Sequence, residues 1–399
     1  MRTDEQQLLE TLASGDTVAL LSKLVAVPSL VGHEGPLADV IGEFLEGIGF
    51  EVRIQGVDGS RKNILGTLRY AAPGPCLMFN GHLDTVAPTD GWTMDPYCAT
   101  RREDRLYGLG ALDMKGGIAA ALAALEAIVR SKLPLRGTLM FSGVIDEEGY
   151  SDGARALLDA GLDGVDAVII GEPCAGTREN PVPVLTPGKV LYRLTVQGVQ
   201  AHGFRPQDGV NALEEAARVI ASLDRLRQTQ HETLGKGPVS TLKLSGGYEE
   251  YAVVVPDHCE AIISRMIAPG ETSEGCRQDL EELIDSLHLA AETTVEMIPP
   301  YYAPLETNTD HDLFRAFEGA YRDEHGRAPT YGPSVIITDA SVFDGLGGIP
   351  TLVCGPAGGG IHQADEYVDL ASLAACARTY ARTAARFLGP DTDRAPAHD

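Results

Sequence analysis

The stretch from Met78 to Val86 constrains the fold more than any other part of the chain. It reads Met-Phe-Asn-Gly-His-Leu-Asp-Thr-Val, a short apolar run that breaks at Gly81. As a buried strand it alternates its faces, so His82 and Asp84 project from the same side. That geometry suits a metal-bound imidazole whose second ring nitrogen is held by a carboxylate. A strand-end histidine bonded to a neighbouring aspartate without any metal is the alternative, and this segment alone does not decide between them.

Length, charge and cysteine pattern limit the class of protein. The chain has 399 residues, more than one ordinary hydrophobic core needs, so we expect two domains. Its 32 lysines and arginines against 57 aspartates and glutamates give a formal charge of -25, which repels nucleic acid and anionic lipid. The sequence has no apolar signal core at its start and no apolar run long enough to span a bilayer. Seven scattered cysteines without CxxC spacing indicate reduced thiols, so we expect a cytoplasmic protein without nucleic-acid or membrane partners.

Helical and strand patterns alternate along the first part of the chain. Apolar residues at helical spacing predict helices at Asp4 to Val25 and Leu37 to Ile48. Strand patterns follow at Glu51 to Ile54, Asn63 to Leu68 and Cys76 to Asn80. This arrangement predicts an α/β sheet whose active residues lie at the carboxyl ends of the strands.

A glycine-rich turn places an acid at the start of an alanine-rich helix. Asp113 follows Gly108-Leu-Gly-Ala-Leu and precedes a helix predicted from about Lys115 to Lys132. The order is not that of a phosphate loop, which needs Gly-Lys-Ser/Thr at the helix start, nor that of a GxGxxG dinucleotide turn. An aspartate at a helix N-terminus is often only a cap. Held by a tight turn, the same carboxylate can equally bridge two metal ions.

Three more segments place charged or imidazole side chains after apolar strands. The strand Thr138 to Ile145 leads into Asp-Glu-Glu, which contains Glu147 and Glu148. Glu172 follows another apolar strand, and His362 lies in a glycine-rich loop near the C-terminus. Consecutive carboxylates at the end of a buried strand repel one another unless cations or protons neutralise them. A solvated acidic turn is the alternative for the first of these segments.

Together these residues form a ligand set for two divalent ions. Two imidazoles and three carboxylates suit borderline cations that share one carboxylate. In such sites the metals lie ~3.5–4 Å apart and generate a hydroxide near neutral pH, while a free carboxylate handles protons. Glu147 is the candidate for that free carboxylate. The candidate ligands are His82, Asp113, Glu148, Glu172 and His362.

Nine short segments between residues 81 and 367 match the motifs of a known protein family, and they occur in the same order as in that family. They are Gly81-His-Leu-Asp-Thr-Val, Gly108-Leu-Gly-Ala-Leu-Asp-Met-Lys-Gly-Gly, Asp146-Glu-Glu, Gly171-Glu-Pro, Ala201-His-Gly, Gly209-Val-Asn-Ala-Leu, Pro269-Gly-Glu, Thr338-Asp-Ala and His362-Gln-Ala-Asp-Glu-Tyr. Each is weak alone, but the set is specific. With it the chain resembles the family of co-catalytic zinc hydrolases that includes acetylornithine deacetylase, succinyl-diaminopimelate desuccinylase, aminoacylase and bacterial glutamate carboxypeptidase.

The resemblance implies a role for each candidate ligand. His82 and Glu172 would hold one metal ion. Glu148 and His362 would hold the other, and Asp113 would bridge the two. The cofactor would be two divalent ions, with zinc preferred and cobalt or manganese as alternatives.

The resemblance also implies how the site works. Asp84 would orient His82. Glu147 would take a proton from the metal-bound water and pass it to the leaving amine. The water would attack an amide carbonyl polarised by a metal and form a tetrahedral intermediate.

From Gly188 the sequence changes character, which marks an inserted domain. Its predicted elements follow the order βαββαβ, which is typical of a ferredoxin-like module. We therefore predict a catalytic domain in two parts, 1–187 and 301–388, an inserted domain at 188–300, and a disordered tail at 389–399. The resemblance implies a mixed-sheet zinc-peptidase catalytic domain. It also implies that the inserted domain is a lid and mediates a homodimer.

Two residues of the inserted domain match family positions on the substrate side. His202 matches a histidine that reaches the tetrahedral oxyanion, often from the partner subunit. A turn residue without function is the alternative for His202. Asn211, in the first turn of a helix predicted from about Gly209 to Arg227, is placed among the substrate-binding residues.

The inserted domain departs from the family at the position of a carboxylate-binding arginine. Met266 occupies that position, and Arg265 is its neighbour. Neighbouring residues of a strand point to opposite faces of the sheet, so Arg265 would face away from the side on which Met266 lies. Methionine removes a bidentate clamp, which argues against a substrate bound by a free α-carboxylate. The alternative is that Arg265 or Arg205 takes over the role after a local bulge.

The sequence thus predicts a two-metal amidohydrolase that acts on an N-acyl amine or a peptide-like amide. Deacylation of the deacetylase or desuccinylase kind is favoured. Dipeptidase or carboxypeptidase action is the alternative within the family. A catalytically silent metal-binding assembly module is the alternative from another class.

Overall fold

The computed structural model describes residues 2–12, 14–162, 164–250 and 253–390. The tail predicted at 389–399 lies outside these ranges except for its first two residues. The α-helices are α1 (Arg2–Thr11), α2 (Ser14–Val25), α3 (Gly35–Gly47), α4 (Lys115–Ser131), α5 (Asp152–Asp159), α6 (Ala212–Ala221), α7 (Ser273–Ser286), α8 (Asp312–His325) and α9 (Leu370–Phe387).

Strands make up the rest of the regular structure, with short 3-10 turns and a π-helix at Ser341–Leu346. The strands are β1 (Glu51–Asp58), β2 (Arg61–Arg69), β3 (Cys76–His82), β4 (Thr100–Arg102), β5 (Arg105–Tyr107), β6 (Thr138–Val144), β7 (Ala167–Ile170), β8 (Val182–Thr186), β9 (Gly188–Gln197), β10 (Ala201–His202), β11 (Val239–Gly246), β12 (Val254–Val255), β13 (His258–Ile267), β14 (Glu292–Tyr302), β15 (Leu305–Glu306), β16 (Tyr331–Pro333), β17 (Thr351–Val353), β18 (Gly358–Gly359) and β19 (Tyr367–Asp369).

The first of two compact units comprises Met1–Val184, Thr307–Gly332 and Thr338–Asp399. Its main sheet has the strand order β1-β2-β6-β3-β7-β17. β3 runs parallel to β6 and β7, whereas β2 pairs antiparallel with β1 and β6. All seven residues of β3 are buried, as expected for a central strand of an α/β sheet. The predicted mixed α/β fold is confirmed.

Close backbone contact joins α4 to the end of β7. A Cβ atom on Gly117 would lie 1.9 Å from the carbonyl oxygen of Gly171, far below van der Waals distance. The position therefore requires glycine. This approach brings the start of α4, and Asp113 just before it, next to the segment in which Glu172 follows Gly171.

The second unit comprises Leu185–Glu306 and Pro333–Ile337. Its antiparallel sheet has the order β11-β13-β9-β14, and α6 and α7 pack against one face. Alternate residues of β9 and β13 are buried in this helix-covered core, which accounts for the period of two in their sequences. The chain order β9-α6-β11-β13-α7-β14 is that of a ferredoxin-like module.

The elements differ from the sequence prediction in two places. The single helix predicted from Asp4 to Val25 is two helices, because α1 ends at Thr11 and α2 begins at Ser14. The pattern of Ser334 to Ile337 also predicts a strand, but these residues form none, and the strand nearby is β16, which ends at Pro333. Residues 333–337 group with the second unit rather than the first.

None of the helices in the described ranges is long and apolar enough to cross a lipid bilayer.

Candidate metal centre

Histidine and carboxylate side chains lie at the carboxyl ends of three neighbouring parallel strands. His82 is the last residue of β3, Glu148 follows β6, and Glu172 follows β7. β3 lies between β6 and β7 and runs parallel to both, so their carboxyl ends meet at one edge of the sheet. In open α/β sheets this edge is where ligands bind.

The first group of candidate ligands comprises His82, Asp113 and Glu172. The Nε2 atom of His82 lies 3.2 Å from Oδ1 of Asp113 and 3.3 Å from Oε1 of Glu172. The His82 and Glu172 residues are buried, and Asp113 is nearly so. One imidazole nitrogen and two carboxylate oxygens therefore converge on one point.

The second group comprises Asp113, Glu148 and His362. The Nε2 atom of His362 lies 2.8 Å from Oε1 of Glu148 and 3.4 Å from Oδ2 of Asp113. Asp113 thus turns one oxygen toward each group, which is what a bridging carboxylate requires. The His362 side chain is 49% exposed, so this group is the more open of the two.

Asp113 does not act as the cap of α4. The N-cap position is occupied by Met114, which makes no side-chain capping bond, and the helix begins at Lys115. The Asp113 carboxylate faces the two imidazoles instead. Of the two possibilities left open by the sequence, this geometry favours the bridging carboxylate.

Asp84 orients His82 in a different way from the one predicted. Nδ1 of His82 lies 2.9 Å from the main-chain oxygen of Asp84, whereas the nearest carboxylate oxygen is 3.7 Å away. The carbonyl oxygen can only accept a hydrogen bond, so Nδ1 carries a proton, and Nε2 is the ring nitrogen that faces the carboxylates of the ligand cluster. The Asp84 carboxylate accepts hydrogen bonds from the main-chain N–H groups of Glu147, at 3.2 Å, and Glu148, at 2.9 Å. It therefore holds the turn that carries both glutamates.

Burial and crowding shift the pKa values of this cluster. Burial, helped by the charge of Asp113, raises the pKa of Glu172 to about 7, and burial with the charge of Glu172 raises the pKa of Glu147 well above its usual value. Burial opposes ionisation of Asp113, but hydrogen bonds from both imidazoles outweigh it and hold the pKa of Asp113 far below its usual range. A hydrogen bond to Asp113 raises the pKa of His362 to about 9. The metal-free cluster must therefore retain protons.

The donor set fits divalent cations. Each group offers one imidazole nitrogen and two carboxylate oxygens, all within 4.8 Å of one another, and the groups share Asp113. Histidine and carboxylate donors are typical of zinc, cobalt and manganese sites. Cations here would neutralise the carboxylates that otherwise keep protons.

An ion-pair network that the sequence did not indicate holds the turn after β6. Arg61 donates to Glu34 at 2.5 Å and to Asp146 at 2.7 Å, and Glu34 is fully buried. Asp146 has a φ of 70°, and its main-chain oxygen accepts from the N–H of Ser151 at 2.6 Å. This network fixes the residue before Glu147. No local pattern links these positions, since they come from a loop, a strand and a turn.

A further acid close to the cluster is Asp339, from the Thr-Asp-Ala segment. It is 1% exposed, and burial raises its pKa to about 7. Its charge adds to the rise in the pKa values of Glu147 and Glu172. It does not cap the π-helix that follows, because Ala340 occupies the N-cap position there.

His202 and Asn211 belong to the second unit. His202 lies on the short strand β10, is exposed, and accepts a hydrogen bond at Nδ1 from the N–H of Phe204. Its ring stacks on Phe204 at 5.9 Å between centroids. Asn211 caps α6, with its side-chain oxygen accepting from the N–H of Leu213 and of Glu214. Helix capping accounts for Asn211 without any substrate contact.

The arrangement of Arg265 argues against its predicted role as a substitute carboxylate clamp. The residue is 1% exposed and pairs with Glu271 at 2.9 Å and with Asp279 at 3.2 Å. Its guanidinium is committed to these two acids, so it is not available to a substrate. Met266 lies on the opposite face of β13, as strand alternation predicts. Arg205, the other possible substitute, is exposed and pairs with Asp208 at 2.7 Å.

Comparisons with known proteins agree with this architecture. The family model described as peptidase family M20/M25/M40 matches residues 78–386. An acetylornithine deacetylase of Proteus mirabilis is 31% identical over 386 residues, which cover 89% of this chain and 92% of that protein. Aminopeptidase PepT of Bacillus cereus has a TM-score of 0.77 at 21% identity, covering 94% of this chain and 99% of its own. The YXEP protein of Bacillus subtilis, a dinuclear metal-binding peptidase, has a TM-score of 0.68 at 17% identity, and the similarity covers 94% of this chain and 98% of the YXEP chain.

The matched range contains all five candidate ligands and Glu147. The similarity to the acetylornithine deacetylase also extends over most of both chains. The chain therefore belongs to peptidase family M20/M25/M40 and is a metal-dependent hydrolase of amide or peptide bonds.

Proposed function

We propose that this protein removes an acyl group from an amine, using two divalent cations bound at the candidate metal centre. The observation that carries the proposal is the pair of ligand groups that share Asp113. The similarity to a protein named as an acetylornithine deacetylase supports deacylation. Zinc suits the donor set best, and cobalt and manganese are alternatives.

The chain's own residues would divide the work of binding. His82 and Glu172 would hold one cation, Glu148 and His362 would hold the other, and Asp113 would be shared between them. Bound cations supply polarisation of the substrate carbonyl and a lowered pKa for a water molecule. With its Nδ1–H bonded to the main-chain carbonyl of Asp84, His82 would bind the cation through Nε2.

Glu147 acts as general base and then as general acid. Its burial and the charge of Glu172 raise its pKa above the usual value of a glutamate, which makes its carboxylate a better proton acceptor. It takes a proton from the attacking water and gives it to the nitrogen of the leaving amine. The hydrogen bond from its main-chain N–H to Asp84, at 3.2 Å, keeps the turn in place during both transfers.

Replacing Glu147 tests this assignment. Glu147→Gln should lower kcat by about 10²–10⁴ because the amide cannot accept a proton, while KM stays within a few fold. The metal content of the variant, measured by elemental analysis, serves as the control. Full turnover by a variant that retains both metals would rule out the proton-transfer role.

The residues at and beside the position of the missing arginine bear on the class of substrate. Met266 cannot bind a carboxylate, and Arg265 is committed to Glu271 and Asp279. We therefore infer that the preferred substrate lacks a free α-carboxylate. A screen should compare N-acyl amino acids with their carboxamides and with dipeptides, on protein reconstituted with zinc, cobalt or manganese. Preference for the carboxamides supports the inference, whereas preference for the free acids contradicts it.

Peptide hydrolysis is the second candidate function. It is favoured by the fold similarity to aminopeptidase PepT, with its TM-score of 0.77. The same screen decides between the two, because a peptidase would cleave the dipeptides faster than any N-acyl substrate. Inactivity on the whole panel despite two bound metals would mean that the substrate lies outside these three classes.

The second unit would act as a lid and a dimer interface in the cytoplasm. In its sheet β11 is an edge strand, and Leu242 and Leu244 on it are 58% and 49% exposed. Such an edge suits pairing with a second copy. Light scattering tests whether the protein is a dimer.

All seven cysteines are free, which suits a reducing compartment.

His202→Ala tests whether His202 donates a hydrogen bond to the oxyanion. We expect this substitution to lower kcat more than it alters KM.

A further inference from the structure

The carboxylate of Glu366 accepts three main-chain hydrogen bonds from the turn that carries Asp113. The N–H of Gly110 donates to Oε2 at 2.8 Å. The N–H groups of Leu112 and Asp113 donate to Oε1 at 2.8 and 3.0 Å. Glu366 is 2% exposed, so this carboxylate is enclosed by the turn it binds.

These bonds determine the shape of the turn. Gly110 has a φ of +75°, and no regular element holds the main chain between Tyr107 and α4. A buried carboxylate needs donors, and buried N–H groups need acceptors, so each side satisfies the other. The main-chain N–H of Asp113 is one of the three donors, which orients the residue whose two carboxylate oxygens face the two ligand groups.

Glu366 also belongs to the loop that carries His362. The N–H of Gly108 donates to the main-chain oxygen of Glu366 at 3.0 Å. The next residue, Tyr367, begins β19 and pairs with Tyr107 in β5. The side chain and the main chain of one residue thus join the Asp113 turn to the His362 loop.

We propose that Glu366 is a positioning residue that couples the two metal sites by holding Asp113 and His362 in one arrangement before any metal binds. This inference rests on the proposed two-metal centre. It follows that the loss of Glu366 weakens metal binding although the residue contacts no metal. Partners that orient metal ligands usually contribute about 10- to 100-fold in affinity.

The variant that tests the coupling is Glu366→Gln. It keeps the size of the side chain but sets an NH₂ group against at least one N–H donor, so one or two of the three hydrogen bonds are lost. Glu324→Gln is the matched control, because Glu324 is also a mostly buried carboxylate and pairs with Arg378 and Arg382 away from the centre. Metal-free samples of both variants and of the wild type are titrated with Co²⁺ by calorimetry, and the cobalt absorption spectrum is recorded.

We expect Glu366→Gln to bind Co²⁺ about 10- to 100-fold more weakly than wild type at one or both sites and to change the cobalt spectrum. Glu324→Gln should keep the wild-type affinity and spectrum. Wild-type affinity and spectrum in folded Glu366→Gln would overturn the proposal. A wild-type protein that binds no cobalt would instead overturn the proposed function, and this inference with it.

A measurement on the wild type covers the case in which the variant does not fold. If Glu366 holds the turn before metal binds, the N–H groups of Gly110, Leu112 and Asp113 exchange slowly with deuterium in the metal-free protein. Slow exchange there supports the proposal. Fast exchange of these amides, beside protected amides in β3, would overturn it.

Discussion

Removing divalent cations from the centre should reverse the way stability depends on pH. In the metal-free fold, burial raises the pKa of Glu172 from 4.5 to about 7 and that of Asp339 from 3.8 to about 7. In the unfolded chain both acids ionise near their usual values. Between those values and pH 7, the folded state therefore holds more protons than the unfolded state, and stability is lost as the pH rises.

The size of this loss follows from the pKa changes. One pKa unit corresponds to about 1.36 kcal/mol, so Glu172 accounts for about 3 kcal/mol and Asp339 for about 4 kcal/mol. The two acids interact with the same neighbours, so their contributions do not simply add. A loss of about 3–4 kcal/mol between pH 5 and pH 8 is therefore the expectation, set against a typical total stability of about 5–15 kcal/mol.

Other groups of the cluster act in the same direction. The pKa of His362 is raised to about 9, chiefly by its hydrogen bond to Asp113, so its contribution is present below pH 6.5 and is lost as the pH rises toward 9. The depressed pKa of Asp113 acts the other way, but only where the pH falls below 3.8. The range from pH 5 to 8 therefore isolates the raised groups.

The assay is urea unfolding of chelated and metal-reconstituted protein at pH 5, 6, 7 and 8. The chelated protein should lose stability with each step in pH. The reconstituted protein should gain stability, because its ligands must lose protons before they bind a cation. A chelated protein whose unfolding free energy is flat or rises from pH 5 to pH 7 would refute the reasoning.

Three further substitutions test other parts of the structure. Arg61→Met leaves the buried Glu34 carboxylate without its ion-pair partner, and we expect the free energy of unfolding in urea to fall by about 3–5 kcal/mol. A fall of less than about 1 kcal/mol would contradict the role of this ion-pair network. Gly117→Ala places a methyl group 1.9 Å from the carbonyl oxygen of Gly171. We expect the free energy of unfolding to fall by about 1–3 kcal/mol and cobalt binding, measured by calorimetry, to weaken. Unchanged cobalt binding would argue against the close contact. Met266→Arg should raise kcat/KM on N-acyl amino acids by about tenfold relative to their carboxamides, and an unchanged ratio would mean that this position does not contact the substrate.

Much of the fold and the ligand set is predictable because it depends on local pattern. β3 begins with the apolar run Cys76 to Phe79, and His82 comes at its end. Glu148 and Glu172 follow β6 and β7 in the same way. Parallel neighbours end at one edge of a sheet, so residues after such strands must gather there. The period of two in β9 and β13 likewise predicts that Arg265 and Met266 face opposite sides.

The details that sequence reasoning missed are hydrogen bonds between distant positions. Glu34 and Arg61 are 27 residues apart, and Glu366 and Gly110 are 256 apart. Whether Arg265 was available to a substrate depended on Glu271 and Asp279 as partners, and strand alternation does not contain that information.

The sequence by itself determined which residues end the buried strands, and hence that His82, Glu148 and Glu172 meet at the candidate metal centre, because the apolar pattern of a strand is a local property of the chain. Only the tertiary structure decided how those side chains are held. It assigned the carboxylate of Asp84 to the turn of Glu147, the guanidinium of Arg61 to Glu34, and the carboxylate of Glu366 to the turn of Asp113. The physical reason is that a buried polar group takes whichever partner the packed chain brings within about 3 Å, and the fold as a whole chooses that partner.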